Sequence, residues 1–195
     1  MRKKAQANLI QYVLTILFSV IVLVSVSSLF YTFYINSLKN EVREALTQLA
    51  VQTSDSIVTI YNDAKSTKYT PSNYTTILIK EVDMKYPSVI SNRNYEISLV
   101  SASQVWASVK ILPVGGKNIT MVPKTSGIKV IAKTTQDPKI TVEYNVPNVD
   151  VGVMGTCKNG INSNLKYYRY NINGTTYDII VLSEAGLLAR ISGVR

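Results

Sequence analysis

The chain has 195 residues, 46% hydrophobic and 17% charged, with a formal net charge of +9. That length holds one ordinary domain plus an anchor, and the apolar content excludes a disordered chain. With one cysteine and no histidine, an internal disulfide and any Ser-His-Asp, Cys-His or HExxH chemistry are excluded.

Arg2, Lys3 and Lys4 form the one basic cluster, and no charged residue lies between Lys4 and Lys39. The apolar run from Leu9 to Ile35 would be about 40 Å long as a helix, against a hydrocarbon core of about 30 Å. Tyr12 falls near one interface, and Phe30, Tyr31, Phe33 and Tyr34 fall near the other. The basic cluster predicts a cytosolic N-terminus and an extracellular C-terminal domain. Ser25-Val26-Ser27 offers a small-x-small exit for a cleaved secretory signal. The apolar core of such a signal is only about 7–15 residues, whereas this run continues to Ile35.

The helical pattern does not stop at Lys39. Apolar or small residues recur at Val42, Leu46, Leu49, Thr53, Ile57, Ile60 and Ala64, in steps of three and four. No proline or glycine precedes Pro71. The sequence therefore predicts a transmembrane helix over 6–35 that continues as an amphipathic stalk over 36–64. The helix-packing stripe of the stalk, Val42, Leu46, Leu49, Ile57 and Ile60, needs a cover. Either the protein's own β-domain or neighbouring copies of the helix would supply one.

Arg2-Lys3-Lys4-Ala5-Gln6-Ala7-Asn8-Leu9 resembles the class III (prepilin-type) signal of archaeal type IV pilin-like proteins. The resemblance covers about 30 residues. It implies cleavage between Ala5 and Gln6 by a membrane-embedded prepilin-type peptidase, so that residues 1–5 are a basic cytosolic leader and the helix is retained. Many pilins have Glu at the fifth position after the cut, where this chain has Ile10. Archaellum accessory proteins of the stator type are the nearest alternative resemblance, at the level of architecture.

The segment 65–93 reads as a connection with a short helix from Pro71-Ser72-Asn73 toward Tyr86, and a strand over Tyr74–Val82 is the alternative. From 94 to 195 the period becomes two. Tyr95-Ile97-Leu99, Val105 to Ile111, Ile119-Met121, Ile128 to Ala132, Ile140 to Val146, Val149 to Val153, Tyr168 to Ile172 and Tyr177 to Val181 alternate with polar or outward residues. Asn173-Gly174 fits a two-residue hairpin turn, and Gly115-Gly116 and Asp137-Pro138 mark further turns. About eight short antiparallel strands predict an all-β sandwich after the stalk.

Candidate chemistry is sparse. Val114-Gly115-Gly116-Lys117 lacks the spacing of a phosphate-binding loop and reads as a turn. Asp137, Asp150 and Asp178 are isolated, with no calcium-loop pattern. The stretch Gly152–Lys166 reads as a loop, with binding as the functional alternative, and Cys157 as a free thiol within it, with an intermolecular bridge as the alternative. Trp106 falls on the outward face of its strand, where another part of the fold covers it or a partner does. Asn73, Asn118 and Asn173 begin N-glycosylation patterns, in a number that chance supplies for this composition. No basic-aromatic block follows residue 4, so nucleic acid is not an expected partner. Nor is a cofactor, a metal or a small-molecule substrate. The expected partners are the lipid bilayer, the peptidase, and copies of the chain or other filament or envelope proteins. The expected role is a non-enzymatic pilin-like subunit of a surface filament, or else a membrane-anchored binding module.

Overall fold

The computed structural model describes residues 2–72, 75–101, 109–110, 120–121, 126–159, 162–172 and 174–184. The chain forms two compact units, Met1–Glu41 and Val42–Arg195. Helix α1, Arg2–Ser66, runs through both. Its length follows from the missing helix breakers. In the first unit, the hydroxyls of Thr15, Ser19 and Thr32 donate to the carbonyls of Gln11, Thr15 and Ser28 at 2.8–2.9 Å. These polar groups are thereby satisfied within the helix. The apolar side chains from Leu9 to Tyr34 are exposed, and the helix is long and apolar enough to cross a membrane.

The second unit contains β1 (Thr76–Met84), β2 (Tyr95–Ser101), β3 (Val109–Lys110), β4 (Thr120–Met121), β5 (Ser126–Thr134), β6 (Thr141–Asp150), β7 (Gly152–Lys158), β8 (Ser163–Ile172) and β9 (Thr175–Glu184). Seven of these form one sheet in the order β1-β8-β9-β7-β2-β5-β6, and β3 pairs separately with β4. All pairings are antiparallel except β7 with β9. An N-terminal helix followed by a largely antiparallel β-region is thus present, with seven strands in the main sheet rather than eight.

The second half of α1 covers one face of this sheet. Val42, Leu46, Leu49, Thr53, Ile57, Ile60 and Ala64 are each at most 8% exposed. Their apolar members share one buried cluster with Ile97, Val130, Leu165, Tyr167 and Ile180 of the sheet. The stripe is therefore covered by the protein's own strands, and neighbouring helices are not needed to bury it.

Several local readings are corrected. The connection 65–93 carries strand β1, paired with β8 from Thr76↔Tyr170 to Met84↔Ser163, in place of a short helix. Gly152–Lys166 is largely strand, since β7 and the start of β8 occupy it and Cys157 is buried on β7. Strand β6 runs through Pro147, where the sequence suggested a break. Proline is tolerated there because β6 is an edge strand. Asn148 takes φ +57°, and the register with β5 shifts between Ser126 and Ile128. The other edge strand, β1, has its own register shift between Leu78 and Lys80.

Gly155 has φ +115°, and a Cβ there would lie 1.8 Å from the Leu182 carbonyl oxygen. Only glycine admits the parallel β9 so close to β7. The turn between β8 and β9 is the two-residue loop the sequence suggested, with Ile172 opposite Thr175 and Gly174 at φ +78°.

Leu46 is fully buried between helix and sheet. Leu46→Ala is expected to destabilise the second unit by about 2–5 kcal/mol, read as a lowered denaturant midpoint of the detergent-solubilised chain. An unchanged midpoint would contradict a stripe buried by the sheet.

Candidate functional site

The most connected polar group in the described structure closes the joint between α1 and the sheet. Residues Leu165, Tyr167, Arg169 and Asn171 of β8 alternate onto the buried face. Arg169 lies directly opposite Asp178 of β9. Its guanidinium donates to both Asp178 carboxylate oxygens, from Nε at 2.8 Å and from Nη2 at 3.3 Å. The remaining donor capacity reaches the end of α1. Nη1 donates to the carbonyls of Thr67 at 2.7 Å and Tyr69 at 3.0 Å, and Nη2 to that of Ala64 at 3.4 Å. These oxygens have few intrahelical partners, and a cation favours the C-terminal end of the helix dipole. Hydrogen bonding to Asp178 and its negative charge raise the Arg169 pKa against the opposing effect of burial. Asn171 extends the joint, its side-chain amide donating to the Pro71 carbonyl at 2.8 Å.

Tyr167 sits beside this pair. Burial pushes its phenol far above the ordinary range, and the Asp178 charge adds to that. Burial likewise raises Tyr86, whose hydroxyl shares a 2.8 Å hydrogen bond with Thr53 of α1. These groups stay neutral and serve packing.

On the opposite face, Ile179 and Val181 form a smaller cluster with Met154, Tyr168 and Tyr170. The two tyrosine rings lie 6.4 Å apart. Beside them Glu81 of β1 accepts from Lys166 at 3.1 Å and from Asn164. Farther across, Lys129 pairs with Glu143 at 2.9 Å and Lys133 with Glu96 at 3.2 Å. Burial pushes the Glu81 carboxyl up, but the Asn164 and Lys166 hydrogen bonds and the Lys166 charge outweigh it and hold it below its ordinary value.

Among the described residues no cluster of His, Cys, Asp or Glu could hold a metal ion. Ala5 and Gln6 lie within the helical span of α1. Val42, Leu46, Leu49, Ile57 and Ile60 come together on the buried stripe. Asn73, Asn118, Asn173, Trp106 and Val114–Lys117 lie outside the described residues. Of the three aspartates read as isolated, Asp178 forms the partly buried pair with Arg169. The sequence carried a signal for it, because counting back from the Asn173-Gly174 turn sets residue 169 opposite residue 178. Comparisons of the chain with protein-family models, curated proteins and solved structures return no match.

Arg169→Met takes the guanidinium from the Asp178 carboxylate and from the Thr67 and Tyr69 carbonyls, and is expected to cost about 3–5 kcal/mol of stability. Arg169→Lys keeps the charge but not the planar fork, and should recover only part of that. Urea titration of the three proteins checks this; equal midpoints would refute the role.

Because the Glu81 pKa is lowered by folding, its contribution to stability is present above the unfolded pKa and is lost as pH falls through the folded one. Glu81→Gln should therefore lower stability modestly near neutrality, flatten the acid side of the stability–pH curve and converge on the parent chain at low pH, where Glu81 is protonated. An acid limb identical to that of the parent chain would contradict this.

Proposed function

We propose that the protein is a non-enzymatic cell-surface structural protein, a pilin-like subunit of, or associated with, an archaeal type IV pilus or archaellum-type filament. In this reading a prepilin-type peptidase cuts between Ala5 and Gln6. The N-terminus before the cut is cytosolic, and the β-domain lies outside the cell as a candidate glycoprotein. The helix beginning at Gln6 stays in the bilayer or packs laterally with other copies.

The observation that carries the reading is the division of labour along α1. Its second half is covered by its own sheet, whereas Leu9 to Tyr34 expose nearly every apolar side chain. Such a surface needs lipid or other apolar helices around it. The basic cluster Arg2-Lys3-Lys4 followed by the small Ala5 and an uncharged run supports the processing step.

Ile10 in place of the usual acid favours a second reading, in which the helix remains in the bilayer and the β-domain is an anchored binding module for the envelope or an archaellum-type machine. The two readings separate on the mass of the N-terminal peptide of protein isolated from its native membrane, together with its presence in sheared filaments. The first expects a chain that begins at Gln6 and is recovered with filaments. An intact Arg2-Lys3-Lys4, with protein found only in membranes, would reject it in favour of the second.

A further inference from the structure

One end of the main sheet gathers four cations that form no ion pair among the described residues. The pairings Met84↔Ser163, Tyr95↔Thr134, Glu96↔Lys158 and Lys133↔Thr141 bring the β1–β2, β5–β6 and β7–β8 connections to the same end. Those connections are laced together. The amide of Thr135 donates to the Asn94 carbonyl at 3.0 Å, and that of Asn159 to the Tyr95 carbonyl at 3.0 Å. The Asn159 side chain donates to the Asn94 side chain at 3.0 Å, and Arg93 Nε to the Asp137 carbonyl at 3.4 Å.

This framework presents Lys85, Arg93, Lys139 and Lys158. The three lysines are exposed, and none of the four forms an ion pair among the described residues. The opposing carboxylates here are Asp83 and Asp137, since Glu96 is engaged by Lys133. Val89, 43% exposed, adds an apolar side chain among the cations.

The direction of α1 selects the partner. Within the second unit, Ala64 meets Arg169, Asp63 meets Lys80 and Thr53 meets Tyr86. As residue number falls toward Val42, the helix thus heads toward the end where Tyr86 lies. Ile35 closes the apolar run and Val42 is the first buried residue. The intervening chain spans at most about 25 Å even when fully extended. We infer that this loop end is a docking surface for the anionic headgroups of the bilayer in which the chain's own helix is anchored; this rests on the anchor part of the proposed function. Exposed lysines with an apolar residue among them suit a headgroup layer, where the cations meet phosphates and the apolar group reaches inward. A soluble acidic polymer would match the charge but has no use for Val89.

The test reconstitutes the full chain into nanodiscs of phosphatidylcholine alone or with about one third phosphatidylglycerol. An amine-reactive label at low ionic strength then reports each lysine by peptide mass spectrometry. Lys85, Lys139 and Lys158 should label several-fold more slowly in the anionic discs, relative to the ion-paired Lys129. The difference should vanish at about 0.5 M salt, where the Debye length falls to a few ångströms. Equal labelling in both discs overturns the inference and leaves the anchor standing. Protection by an added acidic polysaccharide but not by anionic lipid also overturns it, and points to an envelope polymer. A chain that does not co-purify with the discs overturns the anchor and this inference with it.

Discussion

The structure depends on a single helical stripe finding a cover. From Val42 to Ala64 every third or fourth residue of α1 is apolar or small, and the sheet shields all of them from water. Without the sheet this half of the helix would expose a continuous apolar band; without the helix the sheet would expose Ile97, Val130, Leu165 and Ile180. Neither layer is viable alone, because burial of such side chains is the main favourable term in a domain of this size. The same reasoning makes the first half of α1 conspicuous. Its apolar side chains from Leu9 to Tyr34 are exposed, with nothing in the described structure to cover them.

Packing alone fixes the helix against the sheet but does not say where the helix must end. That is the contribution of Arg169. A single planar cation satisfies a carboxylate on one side and the last carbonyls of the helix region on the other. The group is costly to bury and is tolerated because its donors are used. Asn171 holds the outgoing chain a step farther on, so β1 begins in register with β8.

Much of this architecture was legible in the sequence, for particular reasons. The stalk stripe has a clean 3.6 period, and the strands β2, β5, β8 and β9 alternate with one face apolar. Strand β1 was ambiguous because Ile77, Leu78, Ile79 and Val82 satisfy neither period well. It is an edge strand whose register slips after Leu78, so its burial does not alternate cleanly. Gly152–Lys166 read as a loop because its glycines and asparagines are turn residues. In the fold Gly155 is instead required by the close approach of the Leu182 carbonyl, which is a long-range constraint. The Arg169–Asp178 pair was hidden because each partner, taken singly, looks like a surface charge. Only the hairpin register joins them. That the cover of the stripe is the protein's own sheet was likewise undetermined, since periodicity names a face and not its neighbour.

The two margins of the sheet have a consequence for how copies of the protein can meet. β6 is interrupted by Pro147, which has no amide hydrogen, and by the left-handed Asn148, while β1 slips register at its midpoint. These irregularities shorten the row of backbone donors and acceptors that each edge offers to a strand from another molecule. Copies brought side by side at high local density would find only a short shared ladder at either edge, so contact through side chains is favoured over fusion of the sheets. Such neighbours separate with few backbone hydrogen bonds to unzip.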